Sequence, residues 1–127
     1  MEPVTFGDGL VLYEAGSPIE RVYFPVSSVV SIIQVMREGA AAEVGMVGRE
    51  GFAGLDAVLR GGIATARHVC QVPGTALAAP VAAMREALRG DETLMTATLR
   101  YAGGYCSMLA QLIACNRLHR VEQRCAR

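Results

Sequence analysis

Lysine is missing from this sequence, and all 12 of its cationic side chains are arginine. Nothing physical forbids lysine on a solvated face, so the absence reads as a compositional bias without functional content. Neither sign of charge is in excess, because 12 acids balance the 12 arginines; a surface that coats nucleic acid or membrane uniformly is excluded. No apolar run approaches the roughly 20 residues of a membrane span, and the N-terminus lacks the basic-then-apolar order of a signal peptide. The expected compartment is therefore the cytoplasm. The four cysteines, Cys70, Cys106, Cys115 and Cys125, include no CxxC pair, and in that compartment they are expected as reduced thiols.

What is present is a chain of 127 residues, 52% of them apolar and 19% charged. That is enough for one globular domain with a real core and too apolar for a disordered chain. The charge is unevenly placed. Residues 1–80 carry five arginines against eight acids, and residues 81–127 carry seven against four. The basic half reads either as a solvated helix or as an end that faces an acidic partner.

Residues 1–80 read as short strands joined by turns. "LVLYEAG" (10–16) ends at a glycine and "ERVYFP" (20–25) at a proline. "SVVSIIQVM" (28–36) is β-branched and long, "REG" (37–39) turns, and "AAAEVGMVG" (40–48) returns. The glycine-rich "GREGFAGL" (48–55) follows, then strands at "ATARHVCQV" (64–72) and "TALAAP" (75–80), separated by Pro73-Gly74. So many short strands at close spacing predict an antiparallel barrel or jelly roll.

Beyond Pro80 the pattern is helical. "VAAMREALRG" (81–90) predicts a short helix closed by Gly90, and Asp91 is placed to cap a long helix from Glu92 to about Leu118. The long helix carries two apolar seams: Tyr101, Tyr105, Met108, Leu112 and Cys115 form one, and Met95, Leu99, Ala102, Cys106, Leu109 and Ile113 the other. One seam suffices to lie against a barrel; the second calls for another helix, most simply the same helix of a second copy. The alternative is one broad face buried within a single chain. The expected dimer interface is Tyr101, Tyr105, Met108, Leu109, Leu112 and Cys115. Gly103-Gly104 in its middle costs the helix about 1–2 kcal/mol relative to alanine but lets a second backbone come near. Were Cys106 or Cys115 to lie on the dimer axis, an intermolecular disulfide becomes geometrically allowed; buried inert thiols are the expectation.

In this order of elements the chain resembles the cyclic-nucleotide-binding-like sensor domain of Crp/Fnr-type transcription regulators. The residues that carry the resemblance are "VLYEAGSPIERVYFPVSSVVSI" (11–32), "EVGMVGREGFAGLDAVL" (43–59), "QVPGTALAAP" (71–80) and "CNRLHRVEQRCAR" (115–127). They look like a common bacterial subgroup, and the match spans essentially the whole chain. The resemblance implies a double-stranded β-helix over residues 1–90, with its short helix. It also implies a homodimer along the long helix of residues 91–127, and a part in signal-dependent transcription. Family members begin with helical turns ahead of the first strand, whereas Met1 falls almost at that strand. They continue past "VEQRCAR" into a winged helix-turn-helix, so the resemblance implies a chain that stops within that module's first helix. A fragment, a truncated gene or a stand-alone sensor would each fit, with DNA reached only through a helix-turn-helix absent here.

In relatives that bind cyclic AMP, the turn carries Gly-Glu-Leu, followed about ten residues later by Arg-Ser. Laid over this sequence, the glycine is Gly54, the glutamate position is Leu55, and Arg-Ser falls on Thr65 and Ala66. Hydroxyl positions on the long helix fall on Leu109 and Ala110. An arginine–phosphate contact contributes about 1.5–3 kcal/mol, so losing it with the glutamate and the hydroxyls weakens binding by several orders of magnitude. The expectation is a degenerate effector pocket at Gly54, Leu55, Asp56, Thr65, Ala66 and Arg67, with no cofactor. A small effector other than cyclic AMP is left open. Arg67, Arg49 or Arg60 reaching back to an anion is the alternative.

Other chemistries find less support. A cupin-like metal-binding protein or enzyme, the runner-up, needs two or three histidines and a carboxylate converging inside the barrel. This chain has two histidines, His68 on a strand and His119 far along the long helix. His68 reads as a surface or satisfied core residue, although haem ligation by either histidine stays open. The iron–sulfur branch of the family uses cysteines ahead of the barrel, where this chain has none. "RHVC" (67–70) puts His68 and Cys70 on one strand face, but nothing supplies an oxyanion site. No enzyme is expected.

Overall fold

The alternating apolar pattern of the first 80 residues folds as seven strands: β1 (Glu2–Phe6), β2 (Val11–Tyr13), β3 (Arg21–Pro25), β4 (Val29–Val35), β5 (Ala41–Val47), β6 (Arg67–Val72) and β7 (Gly74–Pro80). Three helices accompany them: α1 (Leu55–Leu59), α2 (Val81–Gly90) and α3 (Glu92–Leu118). This computed structural model describes residues 1–118, in two compact units, Met1–Glu92 and one beginning at Thr93.

In the first unit the strands form a three-stranded sheet, β1-β7-β3, and a four-stranded sheet, β2-β6-β4-β5, with every pairing antiparallel. The chain passes repeatedly between them. Only Pro73 separates β6 in one sheet from β7 in the other. One core cluster draws Phe6 and Ala76 from the first sheet and Val30, Val47 and Cys70 from the second, so the two sheets share a common interior. A second cluster, Tyr13, Ile19, Ala53, Ala57 and Ala64, gathers around α1.

Three elements differ from the sequence reading. β1 lies ahead of the first expected strand; it pairs along β7 from Glu2–Ala78 to Phe6–Gly74 and buries Phe6. Its Pro3 is tolerated because β1 is an edge strand, where a missing N–H costs no ladder bond. The glycine-rich segment contains α1, and "LVLYEAG" supplies only three strand residues before the chain turns, with the Ser17 N–H donating to the Glu14 carbonyl at 3.1 Å. The β4–β5 hairpin turns at 37–39 as expected, closed by the Met36 N–H on the Ala40 carbonyl at 2.7 Å.

α2 buries Met84 and Leu88, one turn apart. Asp91 follows it with extended backbone angles (φ −141, ψ 103), the conformation of a residue that opens a helix, and α3 begins at the next residue. α3 continues through Gly103 and Gly104 without a break.

Candidate functional site

The turn that carries the candidate site is held to the edge of β3. Val81 donates to the Glu20 carbonyl at 2.9 Å, so Glu20 bonds toward β7, and the neighbouring Arg21 carbonyl faces away from it. Tyr13 fills that side: its hydroxyl donates to the Arg21 carbonyl at 2.6 Å and lies 3.3 Å from the Ala53 carbonyl. Ala53 then exchanges two backbone bonds with Tyr23, at 2.8 and 3.1 Å. The edge strand is thereby closed by the residues that immediately precede Gly54.

Gly54 opens α1 with φ 105, a conformation that disfavours side chains. A Cβ here would lie 2.8 Å from Val22 Cγ1 and 3.0 Å from the Tyr13 hydroxyl oxygen. The turn therefore needs glycine twice over, for its backbone angle and for its closeness to β2 and β3.

Asp56 stands in the first turn of α1. Its Oδ2 accepts a hydrogen bond from Thr65 Oγ1 at 3.2 Å, and a guanidinium nitrogen of Arg60 lies 3.8 Å from the same oxygen. Leu55 is half-buried and Ala66 buried. Arg67 leaves the opposite face of β6 from Ala66 and His68, and its Nε lies 3.2 Å from Glu14 Oε1, an ion pair without hydrogen-bond alignment. Of the expected pocket residues, the structure joins Asp56 to Thr65 and takes Arg67 to Glu14.

His68 faces inward. Its ring meets the buried Tyr13 ring edge-on, with centroids 5.0 Å apart, and Nδ1 donates to the Ala66 carbonyl at 3.2 Å; a carbonyl only accepts, which fixes the proton on Nδ1. Burial holds His68 below its ordinary pKa, against smaller upward pulls from the Ala66 carbonyl and the Asp56 charge. Burial also drives the Tyr13 phenol far above its usual value. Sequence reasoning missed Tyr13 and Glu14, because strand alternation alone does not say which neighbours a side chain meets. Among the described residues no three of His, Cys, Asp and Glu group as metal ligands, and His119 lies outside the described residues.

These features belong to a known sequence family. The pattern described as cyclic nucleotide-binding domain matches residues 3–91. The chain belongs to that family. Several solved structures of the same fold are of transcription regulators. The c-di-GMP-responsive global regulator CLP of Xanthomonas campestris aligns with a TM-score of 0.83 at 13% identity, over 97% of this chain and 62% of its own. A CRP/FNR-family regulator of Thermus thermophilus gives 0.78 at 20%, over 97% and 60%. The sensor domain of DNR from Pseudomonas aeruginosa gives 0.68 at 17%, over 94% and 77%. No curated protein sequence matches. The chain thus spans less than two thirds of the length of the first two regulators.

On α3, the Tyr101 and Tyr105 rings lie 6.1 Å apart. Leu99, Met108 and Ile113 are exposed, as is Cys106, while Leu109 and Cys115 are half-buried. The side chain of Leu112, and Cys125, lie outside the described residues. None of the described helices is long and apolar enough to cross a membrane.

Proposed function

We propose that this chain is the effector-sensing and dimerising part of a Crp/Fnr-like regulator of transcription in the cytoplasm, that it acts without catalysis, and that it does not hold cyclic AMP in the usual way. The contact between Thr65 and Asp56 carries the reading. Where a cyclic-AMP-binding relative has arginine, this chain has a hydroxyl already donating to a carboxylate. Two of the three arginines that could reach back already have acidic neighbours, Arg67 at Glu14 and Arg60 at Asp56.

Passage of the chain between two sheets with a shared core supports reading residues 1–90 as a double-stranded β-helix. Residues 91–127 are then the dimerisation segment. The proposed interface is the seam of Tyr101, Tyr105, Met108, Leu109, Leu112 and Cys115, of which Met108 is exposed in the single chain. Leu99, Cys106 and Ile113 of the neighbouring seam recur every seven residues and are exposed as well, the arrangement a second helix would cover. In this reading DNA is contacted by a helix-turn-helix outside residues 1–118, and an effector shifts the paired helices that aim it.

Titration calorimetry with cyclic AMP and cyclic GMP, alongside light-scattering mass, tests the reading. The expected result is a mass of two chains and no saturation at micromolar nucleotide. Micromolar binding of either nucleotide, or a single-chain mass, overturns it.

A further inference from the structure

We propose that Asp56 is a specificity-determining residue of this turn: its carboxylate takes the place of an external anion and bars phosphate-bearing ligands from it. This rests on the reading above and goes beyond it, since a missing arginine weakens binding passively whereas a carboxylate in the same place opposes it.

The argument starts from position. Asp56 lies two residues after Gly54, and its Oδ2 meets the hydroxyl of Thr65, the residue at the anion-gripping position. The stretch between them, Arg60 to Ala64, contains Gly61-Gly62 and has no regular structure. Backbone bonds hold this loop to the β2–β3 connection, from the Ile19 N–H to the Gly62 carbonyl at 3.1 Å and from the Ala64 N–H to the Ser17 carbonyl at 2.8 Å. The Asp56–Thr65 bond adds a side-chain tie between α1 and the approach of β6, at the place where a bound anion would act from outside. Arg60 lies beside the same oxygen, so one cation of this turn already has an internal counter-ion. The charge is felt inside as well, because Asp56 favours the protonated form of His68.

A second anion placed against Thr65 would stand within a few ångströms of this carboxylate. Like charges at that separation, in the intermediate dielectric of a protein surface, repel strongly enough to cost at least about tenfold in affinity. An arginine introduced at position 65 meets Asp56 first and is neutralised by it.

Calorimetric titration of cyclic AMP and cyclic GMP onto the full chain and three variants, Thr65→Arg, Asp56→Asn and Asp56→Asn/Thr65→Arg, tests the proposal. The double variant is expected to bind at least about tenfold more tightly than Thr65→Arg, while Asp56→Asn alone stays without measurable binding. Equal affinities of Thr65→Arg and the double variant, or no binding by either, overturn the role of Asp56 and leave the proposed function standing; micromolar binding by the unaltered chain overturns that function instead. Hydrogen exchange on Asp56→Asn, with circular dichroism to check that it folds, gives an independent readout. Faster exchange confined to the amides of residues 60–66 supports the tie, and unchanged exchange there overturns it.

Discussion

The Tyr13 hydroxyl donates to the backbone carbonyl of Arg21 at 2.6 Å, covering a group on the edge of β3 that no neighbouring strand reaches. Replacing Tyr13 by phenylalanine keeps the ring against His68 and Tyr23 but leaves that carbonyl short of a donor. The expected loss is about 1–2 kcal/mol, read as a lower urea midpoint with an unchanged slope. The phenol also titrates. Its pKa is raised in the fold, so its contribution is complete below the ordinary value near 10 and falls as pH rises above it. Tyr13→Phe should flatten the alkaline limb of stability.

His68 gives a pH dependence of the opposite sense. Its folded pKa is lowered by burial, so the unfolded chain binds its proton more readily. Stability from this group is complete above the unfolded value near 6.5 and is lost as pH falls below it, toward the lowered folded pKa. Urea midpoints measured between pH 7.5 and 5 should decline, and His68→Gln should reduce the slope. Equal slopes in the two proteins would remove His68 as the cause.

Gly54 couples the fold to the site. Alanine there must adopt a positive φ, costing about 1–2 kcal/mol, and must push aside Val22 and the Tyr13 hydroxyl, which adds about 1–3 kcal/mol. Gly54→Ala is expected to lower the melting temperature by roughly 10 °C. Since the displaced hydroxyl is the one on Arg21, combining Gly54→Ala with Tyr13→Phe should cost less than the sum of the two.

What the sequence made legible follows from how local each signal is. β4 and β5 are long, β4 is rich in β-branched residues, and Arg37-Glu38-Gly39 lies between them, so their turn is readable residue by residue. α3 repeats its apolar positions over many turns, and α2 over fewer than three. β1 went unread because "EPVTF" is short and contains a proline that is harmless only at an edge, and being at an edge is a property of the whole sheet. α1 was hidden by the glycines around it. In the site, Gly54 was legible as a turn glycine. The meeting of Asp56 and Thr65 was not: nine residues separate them, and their contact depends on how β6 returns beside α1. Tyr13 and His68 show the same gap, because alternation ranks faces of a strand without naming partners.

Gly74 offers the last test, at the crossing between the sheets. A Cβ at this position would stand 2.6 Å from Ser27 Oγ and 2.7 Å from the Ser27 carbonyl carbon and oxygen. The closeness has a purpose that the neighbouring bonds reveal. Thr75 donates its N–H to Ser27 Oγ at 2.9 Å, the Ser28 hydroxyl donates to the Thr75 carbonyl at 3.0 Å, and the Val26 N–H reaches the same carbonyl at 2.9 Å. These bonds fasten the β3–β4 connection to the start of β7, where the chain changes sheets in one residue. Because the clash is with backbone, rotating a side chain does not relieve it. Gly74→Ala should therefore cost about 2–3 kcal/mol, whereas Ser27→Ala, which removes one hydroxyl and keeps the spacing, should cost about 1 kcal/mol. Urea denaturation of the two variants checks the ranking; a Ser27→Ala loss equal to or above that of Gly74→Ala would mean that the hydroxyl, and not the close approach, holds the crossing together.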